Sequence, residues 1–370
     1  MASIAKRPDA TYRARYRDSS GKEHSRHFTR KVDAQRWLDE ITASIVTGSY
    51  VHPKAGDVTF RDYAESWRSK QVHRPGTADQ VERTLRRWVY PRLGSMPLSA
   101  IRQSDVQGLV SALSKGERPL APATVSVAYR HVSTIFRAAV ADKRIHESPC
   151  AKVRLPRIEQ SKVVPLATEV VTAIAQAVPA RYRAMVVLAA STGMRQGEVF
   201  GLTVDRIDFL RRTVRVDRQL VGISGHAPVF APPKTDASYR TIPLPQVAVD
   251  ALATHLAAFP VGDKGLVFTG SEGQMLRRSA FGNVWRRATA SAGAEGVVFH
   301  ALRHYYASLL IRHGESVKTV QARLGHKSAT ETLDTYSHLW PDSDDRARDA
   351  VDEVLGTPAD QMRTAVGSPG

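Results

Sequence analysis

Residues 300–310 read HALRHYYASLL, and within this stretch His300 and Arg303 are three positions apart. On a helix, side chains at this spacing lie on the same face, so both can point at one group. Either residue alone would more often be a capping, core or surface side chain. Together they predict a helix that carries part of a site for an anion.

Four other short segments in the C-terminal half carry basic or nucleophilic side chains in distinctive settings. The segments are STGMRQGEVFGL (191–202), APPKTDASYRTIPL (231–244), LGHKS (324–328) and TLDTYSHL (332–339). In order, they carry Arg195 after a glycine turn, Lys234 in a turn before a strand, His326 after a glycine, and Tyr336. Taken singly, each residue has an ordinary structural explanation. As a set, two arginines, a lysine and two histidines can surround a phosphodiester with donors, and a tyrosine can act as nucleophile. The set therefore predicts phosphoryl transfer, whose crowded transition state needs such charge stabilisation.

The charge balance also indicates a polyanionic partner. The 370 residues include 53 Lys+Arg against 36 Asp+Glu, a formal net charge of +17. The excess is +5 over residues 1–56, +8 over 57–160 and +8 over 161–341, whereas 342–370 carries −4. Because three segments share the excess, nucleic acid is the first expectation and an anionic membrane the second. A protein that is merely basic remains an alternative.

Several classes of protein are excluded or disfavoured by composition. Cys150 is the only cysteine, which excludes an internal disulfide framework and a cysteine-cluster metal site. The longest apolar run, residues 184–190, is far shorter than a membrane span needs. The N-terminus lacks the apolar core of a secretory signal. Because neither a membrane span nor a secretory signal is predicted, a cytoplasmic protein is expected. Hydrophobic residues make up 42%, which is enough to build folded cores.

The N-terminal segment predicts a small sheet backed by a helix. In residues 10–17, tyrosine and alanine alternate with Arg13, Arg15 and Arg17, which is typical of a half-buried strand. Residues 18–22 predict a turn, 23–29 a returning strand and 31–47 a helix. Such a sheet could place its arginines in a DNA groove. A solvated sheet face is an equal alternative.

The middle of the chain predicts helices only, and the remainder mixes helices with strands. Four helices are expected between 59 and 144, with Thr59 as N-cap, a helix from 76 that Pro91 stops, a helix at 103–115 and a last one that begins at Pro122. Short strands are expected at 211–220, 239–244 and 265–268.

The motifs TGMRQGE, PKT followed by RTIPL, HALRH, LGH and TY occur in that order, and over about residues 57–341 the chain resembles the tyrosine recombinases, in particular bacteriophage and mobile-element integrases. The N-terminal sheet and helix resemble the arm-binding domain of many integrases. The resemblance implies a multi-domain fold, mainly α with small β-sheets (α+β). It divides the chain into an arm-type DNA-binding domain with a three-stranded sheet plus helix (1–56), a helical core-binding, SAM-like domain (57–146), a linker (147–164), a mixed α/β catalytic domain (165–345) and an acidic tail (346–370).

For the chemistry, the resemblance implies that Tyr336 attacks a DNA phosphate, forms a 3′-phosphotyrosyl intermediate and releases a 5′-hydroxyl. Arg195 and Arg303 would bind the non-bridging oxygens, and Lys234 would protonate the leaving oxygen. His300 would help to activate the tyrosine and bind phosphate, His326 would donate to a non-bridging oxygen and Glu198 would orient the site. No metal, ATP or other cofactor is implied. His304 follows Arg303 directly, so it is expected to point to another side of the helix and is interpreted as structural, as is His338.

The implied partners are double-stranded DNA with core-type and arm-type attachment sites, three further copies of the chain in a tetrameric synapse, an excisionase and a host DNA-bending protein, with no membrane. The expected place is the nucleoid of a bacterial host. Residues 351–356 could form a helix that packs on a neighbouring protomer, or a frayed terminus. Three alternatives stay open: a resolvase-type recombinase, a type IB topoisomerase-like enzyme, and a DNA-binding regulator without catalysis.

Overall fold

The computed structural model describes residues 2–18, 21–159, 162–223, 225–340 and 344–355. The chain forms two compact units, residues 1–159 and 160–370. Both are mainly helical and carry small antiparallel sheets, which confirms the predicted fold class. Across these ranges, no helix is long and apolar enough to cross a membrane.

The first unit begins with a three-stranded antiparallel sheet in the order β1–β2–β3, followed by a helix that covers one face. The elements are β1 (Ser3–Lys6), β2 (Tyr12–Arg17), β3 (Glu23–Phe28) and α1 (Lys31–Val46). Ala14 and Tyr16 are buried in a core shared with Leu38 of α1. Because side chains alternate along a strand, Arg13 and Arg15 lie on the face away from that helix.

Five helices complete this unit: α2 (Phe60–Ser69), α3 (Pro75–Thr84), α4 (Tyr90–Leu93), α5 (Gln103–Lys115) and α6 (Pro122–Ala141). Thr59 caps α2 as predicted, since its hydroxyl accepts the backbone N–H of Asp62 at 3.1 Å. Aromatic packing of Phe60 on Phe136, with ring centroids 5.3 Å apart, joins the first and last of these helices.

The prediction that Pro91 stops a helix is wrong. Residues 85–89 form a π-helical turn, and the helix continues through Pro91 to Leu93. In that wider turn the N–H of Tyr90 bonds the carbonyl of Leu85, five residues back. Pro91 follows this wider turn as the second residue of α4, and it has no backbone N–H to donate.

In the second unit, α8 is buried from Ala184 over most of its length and contacts α7, α10 and α12. Its helices are α7 (Thr168–Ala177), α8 (Ala180–Thr192), α9 (Gln196–Phe200), α10 (Gln246–Ala258), α11 (Arg278–Ser291), α12 (Ala301–Arg312), α13 (Val317–Leu324), α14 (Ala329–Tyr336) and α15 (Asp344–Leu355). Its strands are β4 (Ile207–Asp208), β5 (Thr213–Val216), β6 (Gln219–Val221), β7 (Val229–Ala231) and β8 (Arg240–Pro243). They form a sheet in the order β4–β5–β8 and the hairpin β6–β7.

Two strand predictions need correction. The single strand expected at 211–220 is divided between two sheets, and the break falls at Asp217, whose carboxylate pairs with Arg206, Arg215 and Arg218. The strand expected at 265–268 is absent: Leu266 makes only an isolated bridge to Thr203. Its apolar residues are buried for core packing, not for sheet pairing, and burial alone does not separate the two cases.

The tail prediction is only partly covered. Residues 344–355 are helical, and Val351, Val354 and Leu355 are exposed. Residues 356–370, which include the end of the segment proposed to pack on a neighbour, lie outside the described residues.

Candidate active site

Two left-handed glycines aim backbone carbonyls at the two predicted phosphate-binding arginines. Gly193 ends α8 with φ of 64°, and its carbonyl accepts Nη1 of Arg303 at 2.8 Å. Gly325 ends α13 with φ of 66°, and its carbonyl accepts Nη2 of Arg195 at 3.2 Å. Since glycine adopts this backbone region at no steric cost, the two glycines let helix ends fix the arginines.

Glu198 connects Arg195 to the rest of the unit. Its carboxylate accepts the backbone N–H of Arg195 at 2.8 Å and the Nη1 of the same residue at 3.0 Å. It also accepts Nη2 and Nη1 of Arg240 at 2.8 and 3.2 Å. Burial would raise the pKa of Glu198, but Arg240 and then Arg195 outweigh it and hold the pKa below its usual range. The carboxylate is therefore charged and orients Arg195.

Arg240 is a component that the sequence interpretation missed. Only 6% of its side chain is exposed, and beyond Glu198 it donates to the carbonyls of Ser238 and Arg323 at 3.0 and 2.9 Å. It is the arginine of the RTIPL motif, to which the sequence pattern assigns no role. An arginine at the start of a short apolar strand was the available clue, because buried arginines need partners.

Arg303 lies almost wholly inside the unit, with 2% of the residue exposed. Burial, helped by the charges of Arg195 and Arg240, lowers its pKa to about 9. The guanidinium is still protonated at neutral pH. Its charge opposes the rise that burial causes in the pKa of Tyr336, and it adds to the fall that burial causes in the pKa of His326.

Tyr336, the last residue of α14, is 1% exposed, and its hydroxyl lies 2.8 Å from Nδ1 of His304. The interpretation of His304 as a structural residue that points away from the site is therefore wrong about its direction. The missed clue was spacing: His304 follows His300 by four positions and shares its helix face. The two rings lie with centroids 4.9 Å apart.

The two predicted histidines occupy different environments. His326 is buried and pairs through Nδ1 with the hydroxyl of Thr332 at 2.9 Å, and burial followed by the charge of Arg303 lowers its pKa to about 4. His300 caps the start of α12 and is exposed. Burial on its protein side, then the neighbouring His304 and Arg303, lower its pKa too, and solvent weakens that effect. Both rings are neutral at pH 7 and can donate or accept.

The structure does not bring Lys234 into contact with the other predicted catalytic residues. It is exposed in the loop between β7 and β8, and no described residue forms a hydrogen bond or ion pair with it. The same loop does reach the site through Ser238, whose hydroxyl accepts Nη1 of Arg195 at 3.4 Å.

An open depression of about 620 Å³ lies beside Arg195 and His300. Arg278 and Arg286 of α11 also line it. A concave surface with several cations next to the arginine cluster can accept a phosphate backbone.

The N-terminal arginines and the remaining histidine have modest partners. Arg15 and Arg17 lie 3.8 and 3.9 Å from the carboxylate of Glu23, and the Nε atoms of Arg13 and Arg15 are buried without a hydrogen-bond partner. His338 is exposed and bonds the carbonyl of Val163 at 2.8 Å, and its structural role stays an interpretation.

One group of three potential metal ligands occurs among the described residues, and it lies in the first unit. Asp18, His24 and His52 bring ligand atoms within 4.8 Å of one another. His24 Nε2 already bonds Asp18 at 2.7 Å, and Nδ1 of His52 accepts the N–H of Lys54 at 3.1 Å. Hydrogen bonds thus account for this group.

Comparisons with known proteins agree with this geometry. Residues 157–342 match the Phage integrase family, and residues 60–155 match the Phage integrase central domain. The chain is 27% identical to a Tyrosine recombinase XerC-like protein of Caldanaerobacter subterraneus subsp. tengcongensis, over 92% of this chain and 94% of the relative. It is 28% identical to the Integrase of Mycobacterium phage D29, over 81% and 82%.

Solved structures share the fold. The Tn1549 transposon integrase in complex with transposon right end DNA superposes with a TM-score of 0.65 at 22% identity, over 80% of this chain and 98% of that one. A lambda integrase dimer bound to a core site gives 0.59 at 18% identity, over 92% and 95%. The chain therefore belongs to the phage integrase family, the tyrosine-type site-specific DNA recombinases.

Proposed function

We propose that this recombinase cuts and rejoins DNA at attachment sites with Tyr336 as the nucleophile, and so integrates a phage or mobile element. The observation that carries the proposal is the convergence on one site of Tyr336 and two oriented arginines, Arg195 and Arg303. In the first step Oη of Tyr336 bonds the phosphorus and the bond to the 5′-oxygen breaks. The phosphodiester energy is kept in the 3′-phosphotyrosyl link. A 5′-hydroxyl from the partner strand then attacks the same phosphorus and releases the tyrosine.

The remaining residues divide the work of charge stabilisation. Arg195, fixed by Glu198, and Arg303 bind the non-bridging oxygens, where their planar donors match the developing charge. His326 donates a hydrogen bond to the same phosphate, and His300 faces it from the start of α12. Lys234 protonates the leaving 5′-oxygen; its exposed loop lies next to Ser238, which already contacts Arg195.

The same proposal covers the organisation of the chain. Residues 1–56 read arm-type sites through Arg13, Arg15 and Arg17, 57–146 hold the core site, 147–164 connect, 165–345 perform the chemistry, and the tail 346–370 does not bind DNA. The lambda integrase, whose fold this chain shares, has been solved as a tetramer bound to a Holliday junction. We extend a tetrameric synapse to this chain, with an excisionase and a host bending protein as accessory factors in a bacterial nucleoid.

A suicide substrate tests the nucleophile. It is a duplex of the element's end sequence, nicked so that the released 5′ fragment diffuses away and the covalent complex accumulates. The wild-type chain should give a protein–DNA adduct on a denaturing gel, and Tyr336→Phe should give none. Tyr239→Phe, which alters an exposed tyrosine, is the matched control and should behave as wild type. An adduct with Tyr336→Phe would show that another residue attacks.

The same preparation separates the alternatives. Relaxation of supercoiled plasmid that lacks any attachment site would favour a topoisomerase. Binding to the end sequence without any strand cleavage would favour a regulator.

A further inference from the structure

The proposed function assigns no role to the hydrogen bond between His304 and Tyr336. We infer that His304 is the group that takes the phenol proton of Tyr336 as its oxygen attacks the phosphorus. The inference rests on the proposed function of Tyr336 as nucleophile, and it leaves His300 to the phosphate.

The geometry is that of a proton transfer within a hydrogen bond. Nδ1 of His304 is 2.8 Å from Oη of Tyr336, within the reach required of a general base. The rings lie 5.6 Å apart between centroids with 63° between their planes, so they meet at an edge and not as a stack. Among the described residues no other group forms a hydrogen bond to Oη, and His300 in particular contacts the ring of His304 instead.

The protonation states fit this direction of transfer. Burial raises the pKa of Tyr336 to about 12 although Arg303 opposes it, so the hydroxyl keeps its proton at neutral pH and needs a base. Burial, with the charge of Arg303, lowers the pKa of His304 below its usual range. The imidazole is therefore neutral and has a lone pair available to accept.

The position of His304 on α12 links the base to the phosphate ligands. His300, Arg303 and His304 lie within five consecutive residues of one helix. A helix holds such neighbours at fixed separations, so the group that binds the nucleophile and the groups that bind the phosphate move as one body. This favours a productive contact over a storage position for the tyrosine.

In the cleavage step, proton transfers accompany the changes in bonding at the phosphorus. The Oη–P bond forms and the P–O5′ bond breaks, while the phenol proton passes to Nδ1 of His304. The resulting imidazolium loses its Nε2 proton to solvent, and the 5′-oxygen receives a proton from Lys234. In the second step Nε2 of His304 regains a proton from solvent and Nδ1 returns its proton to the departing tyrosine, while the attacking 5′-hydroxyl gives its proton to Lys234.

Single-turnover cleavage of a substrate with a 5′-bridging sulfur isolates this step, because a thiolate leaves without a general acid. His304→Ala should cleave about 10²–10³ times more slowly than wild type on this substrate. Imidazole added to the buffer should restore part of the lost rate.

A conservative variant separates proton acceptance from simple positioning. The amide of His304→Asn can occupy the place of Nδ1 and bond the tyrosine, but it cannot take up a proton. It should stay within a few-fold of the alanine variant. His313→Ala, at the exposed C-terminal end of the same helix, is the matched control and should retain the wild-type rate.

Each contrary result has a distinct meaning. Wild-type or faster cleavage by His304→Ala would overturn the inference and indicate that the contact only stores the tyrosine, while the wild-type adduct would still support the proposed function. Full recovery in His304→Asn would overturn proton acceptance. Absence of an adduct with the wild-type chain would instead sink the proposed function. If His304→Ala proves unfolded by thermal melting, the asparagine variant decides alone.

Discussion

At the scale of single residues, the Glu198–Arg240 pair has the largest structural role in the site. Both side chains are nearly inaccessible, and the two-pronged contact gives each charge a close partner. Such a pair is not by itself strongly stabilising, but without Arg240 the buried carboxylate of Glu198 would lose its two-pronged partner and keep its contacts with Arg195. The carboxylate of Glu198 could then shift, and Arg195, which it orients, would shift with it.

We predict that Arg240→Met lowers the free energy of unfolding by about 3–5 kcal/mol. Arg240→Lys should lose less, because the charge remains while the paired geometry is lost. Urea denaturation gives both values. Arg83→Ala, which breaks an exposed ion pair with Asp79, is the control and should cost under about 1 kcal/mol. A loss below 1 kcal/mol in Arg240→Met would contradict a buried, dependent carboxylate.

The sequence allowed the site residues to be named where a motif and its chemistry coincide. It did not allow the contacts between their side chains to be predicted. Arg195, Glu198 and Arg303 were named from sequence, and the structure connects them through Arg240 and two glycine carbonyls. The part of His304 depends on the angle at which α14 meets α12, which no local pattern encodes. Lys234 stays a prediction, since its loop brings it into contact with none of the others.

At the scale of elements, helix ends do much of the positioning. The left-handed glycine after α8 is crowded as well as strained: a Cβ on Gly193 would lie 2.5 Å from Cδ1 of Tyr306 and 2.9 Å from Cδ2 of Leu324. Gly314, just beyond α12, has φ of 83° but no atom within 4 Å of such a Cβ. The two glycines therefore separate backbone strain from steric overlap.

We predict that Gly314→Ala costs about 1–2 kcal/mol, the strain of a left-handed alanine. Gly193→Ala should cost about 3 kcal/mol or more, because overpacking adds to the same strain. It should also slow suicide-substrate cleavage, since the carbonyl of Gly193 holds Arg303. Thermal melting and single-turnover cleavage measure the two effects. Equal losses in the two variants would show that crowding is unimportant.

Element prediction succeeded where periodicity and caps agree, as at α5, whose bounds match the expected 103–115. It failed where a local rule has a structural exception. Pro91 is tolerated because a π turn precedes it, and residues 265–268 are buried without pairing. Both exceptions depend on tertiary packing, which hydrophobicity alone does not specify.

At the scale of the whole molecule, buried titratable groups in the second unit should make its free energy of unfolding fall as the pH is lowered. The pKa values of His326 and His304 lie below those of free histidine, near 6.5, and that of Glu198 lies below its own. A lowered folded-state pKa gives stability that is present above the unfolded pKa and lost as pH falls toward the folded one. All three groups therefore act in the same direction.

We predict that the urea midpoint of wild type falls progressively between pH 6.5 and 4, with Glu198 adding to the loss below about pH 4.5. His326 accounts for on the order of 3 kcal/mol of this loss, from the shift of its pKa to about 4. His326→Asn should flatten the upper part of the curve, and the exposed His313→Asn should not. A wild-type midpoint that stays level across this range would refute the prediction.

The net charge of +17 predicted the class of partner, and the order of motifs predicted the reaction. What composition could not give is how unevenly charge is compensated inside the second unit. Glu198 pairs with Arg195 and Arg240, while Arg303 donates to the carbonyl of Gly193 and interacts with Glu198 only electrostatically. Like charges at close range repel, most of all away from water. Activity and thermal stability should therefore conflict at this cluster. An inactive chain with a neutral side chain in place of Arg303 is expected to melt at a higher temperature than the wild-type chain. A bound phosphodiester supplies negative charge to the same arginines.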